Sequence, residues 1–77
     1  MNRLPNLKPR ELIQALEKLG FARTRKSKGG HLRYVHPDLR KTTVLFHSGR
    51  TIPKGLLVKI IKTDLEMNVE NFISFLK

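Results

Sequence analysis

Apolar positions in this chain repeat with two different periods. Between Pro9 and Leu19, Leu12, Ile13, Leu16 and Leu19 recur at i, i+1, i+4 and i+7, while Arg10, Gln14, Glu17 and Lys18 fall between them. That spacing predicts one amphipathic helix with a single apolar stripe. Pro9 suits a first helical position and Gly20 a C-terminal stop. The period then shortens to two. Phe21–Lys26 is a mixed strand segment, His31–His36 sets Leu32 and Tyr34 against His31, Arg33 and Val35, and Thr42–His47 sets Thr42, Val44 and Phe46 against Thr43, Leu45 and His47. Ser27-Lys28-Gly29-Gly30 reads as a loop and Pro37-Asp38-Leu39-Arg40 as a turn. A helical period returns from Pro53 to about Thr63 through Leu57, Ile60 and Ile61. Asn68 then caps a short helix in which Val69, Phe72, Ile73 and Leu76 share a side. The predicted order is α-β-β-β-α plus a short C-terminal helix, an α+β fold. Two helices on one face of a three-stranded antiparallel sheet leave the other face wet.

Side-chain parity suggests a register for the second hairpin. If opposed residue numbers sum to 78, Leu32 faces Phe46 and Tyr34 faces Val44, giving one continuous apolar face. A slip of one residue would send Phe46 and Val44 to the opposite side, so burial favours the first pairing. It sets His31 opposite His47 on the wet face, with Arg33 beside them.

Composition narrows the class of molecule. Seventy-seven residues make one domain, taken as 1–77, with a small core. There is no cysteine, hence neither a disulfide framework nor a thiolate metal site. No apolar run approaches a membrane span and the N-terminal residues lack a signal-peptide core. The expectation is a cytoplasmic protein. Sixteen Lys+Arg against six Asp+Glu give a net charge of +10, which points to a polyanionic partner, nucleic acid first and an acidic protein second. Seven of those basic residues lie in 22–41, and residues 64–77 are slightly acidic. A basic surface that merely keeps the protein in solution is the plain alternative.

Few residues offer chemistry. The acids form no pair with metal-site or glycosidase spacing, the serines lie outside any G-x-S-x-G, and the glycines compose no phosphate loop. All three histidines fall within 31–47. His36 precedes Pro37 at a turn and reads as structural, while His47 sits at a strand end. His31 follows Gly29-Gly30, where nothing bulky keeps a polyanion from the backbone, and lies among Lys26, Lys28 and Arg33. The start of the second helix, Ile52-Pro53-Lys54-Gly55, offers free N–H groups and a lysine to a phosphate; an ordinary proline-initiated helix would look the same. Histidine in a basic patch suits RNA cleavage, because RNA carries its own nucleophile, the ribose 2′-OH. An imidazole of ordinary pKa about 6.5 can move the proton, and lysine and arginine can neutralise the charge developing on phosphorus. No metal or cofactor is needed. Plain RNA binding remains open on the same residues.

Taken in order, Lys8-Pro9-Arg10-Glu11, Leu16-Glu17-Lys18-Leu19-Gly20-Phe21, Lys28-Gly29-Gly30-His31, Tyr34-Val35-His36-Pro37, Thr43-Val44, His47-Ser48-Gly49 and Ile52-Pro53-Lys54-Gly55 closely resemble the HicA family, toxin halves of HicA–HicB toxin–antitoxin pairs. The likeness runs over about residues 8–65. It implies a fold like that of double-stranded-RNA-binding domains, an mRNA interferase activity and a HicB-like antitoxin partner. The family's essential histidine maps onto His31. The residue before it, often serine in the family, is Gly30 here, and the family's common glycine after the turn aspartate is Leu39. Leu45 and Leu56 stand where proline and threonine are expected.

The combined expectation is a metal-independent endoribonuclease toxin. His31 is the general acid or base, His47 the candidate assistant, and Lys26, Lys28, Gly30, Arg33 and Lys54 bind RNA. A non-catalytic RNA-binding module of the same fold is the alternative. A third reading makes the chain an interaction protein whose basic face docks an acidic partner.

Overall fold

The computed structural model describes residues 4–24, 29–46 and 50–76. Helix α1 spans Pro9–Leu19, the range its periodicity predicts. Pro9 occupies its first turn, and the Glu11 carboxylate accepts from the Lys8 backbone N–H at 2.9 Å, satisfying a donor that the helix itself leaves free. The helix ends at Gly20, whose left-handed backbone (φ +102°) lets its N–H reach Glu17 O and turns Phe21 N–H back to Leu16 O at 2.9 Å. A side chain at this position would also meet the His36 ring at 3.0 Å.

Three strands follow, β1 (Ala22–Arg23), β2 (His31–Val35) and β3 (Lys41–Leu45), in one antiparallel sheet of order β1-β2-β3. The β2–β3 register differs from the one expected. Leu32 pairs with Val44, Tyr34 with Thr42 and His31 with Leu45, two residues away from the pairing that put His31 opposite His47. The turn decides it. Only Pro37, Asp38 and Leu39 lie between the last bonded pair, in which His36 N–H donates to Arg40 O, and Leu39 N–H closes the turn on His36 O. Such a tight three-residue loop demands a positive φ at its third position, and Leu39 adopts φ +81°. A slip of two preserves parity, so Tyr34 and Val44 still face inward and are buried, whereas Phe46 is left 41% exposed.

Helix α2 begins at Lys54 and runs to Lys59, then widens into a π-helical stretch, Ile60–Asp64. The sequence predicts one uniform helix here. The wider turn, with Leu65 N–H bonded to Ile60 O, lets Ile60, Ile61 and Leu65 all bury their side chains. Glu66, at φ +53°, ends the segment. Asn68 caps α3 (Val69–Ile73), its side-chain oxygen accepting from Asn71 N–H at 2.7 Å, and a 3₁₀ turn, Ser74–Leu76, closes the fold against α1.

The core lies between the helices and the inward sheet face. Leu12, Leu16, Leu57, Ile61, Leu65 and Phe72 are fully enclosed there with Tyr34 and Val44. Burial raises the Tyr34 phenol pKa, the nearby Glu17 carboxylate adds to the rise and Arg23 opposes it. Thr42, the one buried polar residue of the described set, donates its hydroxyl to the Asp64 carboxylate at 2.9 Å.

Candidate functional site

Alternation along the strands sorts the sheet into two faces. His31, Arg33 and Val35 of β2 and Lys41, Thr43 and Leu45 of β3 point away from the core, and none of them is buried. Cross-strand pairing sets Arg33 against Thr43 and Val35 against Lys41. The outer face therefore carries three basic or imidazole side chains, His31, Arg33 and Lys41, within a few strand residues of one another. Lys41 lies one residue before the predicted start of this strand, and its pairing with Val35 is what sets it on the face of Arg33.

His31 is the first residue of β2 and follows the Gly29-Gly30 turn. Gly29 takes φ +58°, which aims the chain into the strand. The Gly30 carbonyl accepts from Phe46 N–H at 2.7 Å, extending the ladder by one pair beyond β2. A Cβ built on Gly30 would meet only the Phe46 carbonyl, at an ordinary 3.5 Å, so a serine there would fit without rearrangement. His31 is exposed, and among the described residues its imidazole has neither a hydrogen-bond nor an ion-pair partner. Lys26, Lys28 and His47 lie outside the described residues; the position opposite His31 is held by Leu45. Lys54, exposed, is the first residue of α2. Pro53 and Leu56, on either side of it, share a pocket with Leu45, which puts the start of α2 on the β3 side of His31.

His36 has a different occupation. Its Nε2 lies 3.1 Å from the Leu19 carbonyl, which can only accept, so Nε2 carries the proton; Nδ1 accepts from the Asp38 N–H at 3.1 Å. The ring stands edge-on to Phe21 at 5.1 Å between centroids. Arg40 completes this assembly. Its guanidinium sits over Phe21, donates from Nε to Asp38 Oδ2 at 2.7 Å, and from Nη1 to Leu65 O at 2.6 Å. Arg40 thus joins the hairpin turn to the end of the second helical segment. Of the seven basic residues that the sequence groups around His31, Arg40 is spoken for, at the opposite end of β2.

A second feature runs along β3. Between that strand and α2 lie two hollows that share Thr43, Leu56 and Ile60. One, of about 270 Å³, is lined by Leu12, Leu45, Pro53 and Leu56 together with Arg50. The other, of about 330 Å³, is lined by Lys41, Lys59 and Asp64. No three of the described histidine and acidic side chains converge as a bound metal ion would need. Nor is any helix among the described residues long and apolar enough to cross a membrane.

An α-β-β-β-α fold with an open basic sheet face, headed by an exposed histidine, fits a small protein that meets a polyanion. Residues 9–64 match the family described as the HicA toxin of bacterial toxin–antitoxin systems, most of the chain. The chain belongs to that family. It is a toxin of a toxin–antitoxin pair. A comparison with curated proteins finds no match.

Proposed function

We propose that this toxin is an endoribonuclease that cleaves mRNA by transesterification, with His31 as its proton carrier. The observation that supports it most is the position of that side chain: exposed, at the head of β2, on the open face that also presents Arg33 and Lys41. The ribose 2′-oxygen forms a bond to phosphorus, the P–O5′ bond breaks, and a cyclic phosphate and a free 5′-hydroxyl result. His31 takes the 2′-OH proton or gives one to the departing oxygen; His47 is the candidate for the complementary transfer. Lys26, Lys28, Arg33 and Lys54, with the unobstructed backbone at Gly30, hold the phosphates. Their charge supplies affinity that is independent of base sequence. The reaction needs no metal or cofactor, and a HicB-like antitoxin of acidic character would neutralise the enzyme by covering this face.

The test is cleavage of a long RNA in excess chelator. His31→Ala should keep the wild-type circular dichroism spectrum and RNA affinity while cleavage falls about 10²–10⁴-fold, the range expected for a lost general acid or base. Undiminished cutting by the variant would overturn the role of His31, and abolition of wild-type cutting by chelator would overturn the metal-free chemistry. The second reading, a non-catalytic RNA-binding module, is favoured by the glycine at position 30, where the resemblance to the HicA family often implies serine. It predicts RNA binding without cleavage by the wild type.

A further inference from the structure

Among the described residues β3 is an edge strand paired with β2 alone. The ladder fixes which of its backbone groups are free. Bonds at Gly30–Phe46 and His36–Arg40 mark the even-numbered residues of β3 as those that face β2. Antiparallel alternation then turns the N–H and C=O groups of Lys41, Thr43 and Leu45 outward. Among the described residues no backbone or side-chain group bonds to them. Such an edge is normally blunted by proline, a bulge or an inward charge. A lysine serves the same end, and β3 has one at its start, Lys41, but Thr43-Val44-Leu45 carries neither charge, proline nor bulge.

The space beyond this edge is bounded by α2 and is not featureless. The apolar hollow against Leu45 and Leu56 would take one side chain, and the polar hollow beside Lys41 would take another. We propose that this groove binds an extended segment of an acidic partner protein, added as a fourth strand to the edge of β3. The segment would put an aliphatic side chain between Leu45, Leu56 and Pro53, and acidic side chains toward Arg50 at one end and Lys41 and Lys59 at the other. Among the described lining residues the one opposing charge, Asp64, already accepts the Thr42 hydroxyl. This rests on the toxin–antitoxin reading for the existence of a protein partner, and it names how that partner is held.

Two other occupants fit less well. A second copy of this chain would bring a further +10 of like charge to a groove flanked by lysine and arginine. RNA gains its affinity from phosphates and from stacking on aromatic rings, and among the described residues the apolar hollow is lined by no aromatic side chain. An extended peptide satisfies both the outward backbone groups and the aliphatic wall, as strand addition requires.

The experiment is a selection of random twelve-residue peptides, displayed on phage, against the full chain, followed by amide hydrogen exchange with the strongest binder. Selected peptides should alternate aliphatic residues with flanking aspartate or glutamate. Bound peptide should slow exchange at Thr43 and Leu45 by at least about tenfold, the worth of one added hydrogen bond, and change Thr42 and Val44 little. Thr43→Pro, which removes an outward N–H without touching the β2 ladder, should abolish binding. Should that variant fail to fold, Leu56→Glu at an exposed position should weaken binding by about tenfold or more. Absence of enrichment, or binders that protect other segments, would overturn the proposal. So would equal protection of Thr43 and Leu45 by oligouridylate, or by raising the concentration of the protein alone. RNA cleavage is not read at any step, so failure of the endoribonuclease reading would leave this result unchanged.

Discussion

Leu39 holds a backbone conformation that L-residues with a branched side chain avoid, φ +81°, at the tip of the β2–β3 hairpin, and it is 81% exposed. The left-handed region costs such a residue about 1–2 kcal/mol, and no burial offsets that cost here. Glycine pays no steric penalty there. Leu39→Gly should therefore stabilise the protein by about 1 kcal/mol after allowing for the extra freedom of glycine in the unfolded chain. In a domain this size that raises Tm by about 4–8 °C, readable by thermal denaturation. An unchanged or lower Tm would show that Leu39 has a contact of its own to lose. The same reasoning runs in reverse at Gly20, where the positive φ and the His36 ring both exclude a side chain.

At the scale of elements, the hairpin turn is held by its own charges. The Arg40 backbone N–H bonded to the Asp38 carboxylate holds that carboxyl below its ordinary value of 3.8, and the Arg40 side chain acts in the same direction. A carboxyl lowered in the folded state contributes stability that is present above pH 3.8 and lost as the pH falls below it. The wild type should be more stable than Asp38→Asn near neutral pH, and the gap should narrow as urea midpoints are measured from about pH 6 down to about pH 3. A constant gap would mean that Asp38 acts through shape rather than charge. Here the sequence was informative in part. Alternation along 31–36 and 42–47 identified both strands and their inward residues, because parity survives a slip of two. It could not fix the register, because that depends on how few residues the turn needs, and the turn tightened by letting Leu39 take a strained conformation. The second helix was likewise placed correctly, but its widening at Ile60 follows from three neighbouring apolar side chains competing for one core, which is not a local property.

For the molecule as a whole, the terminal helix is part of the core. Phe72 lies beyond the residues that match the toxin family, yet it is fully buried among Leu12, Leu16 and Leu57. Removing it leaves a cavity in a small core, and Phe→Ala at such sites costs about 3–5 kcal/mol. A 77-residue domain has about 4–12 kcal/mol in all. Phe72→Ala should therefore lower the urea midpoint by about a quarter or more, or unfold the protein outright, as read by circular dichroism. An unchanged midpoint would make the helix an appendage for partner contact.

What the sequence by itself determined is what depends on local pattern and on sums. The Pro9–Leu19 helix with its glycine stop, the Asn68 cap, the inward and outward sides of each strand, the +10 charge and the family were all written in spacing and composition. His31 was singled out there because a histidine after two glycines in a basic segment suits RNA chemistry. Tertiary structure alone decided which charges share a neighbourhood. It withdrew Arg40 to bind Leu65 and Asp38, set Lys41 on the face of His31, and put Leu45 opposite the histidine. It also left one edge of β3 open beside α2, since an edge exists only once the order of strands and the place of the flanking helix are fixed. Charge counts add along a chain, but registers, edges and ion pairs arise between segments far apart in it.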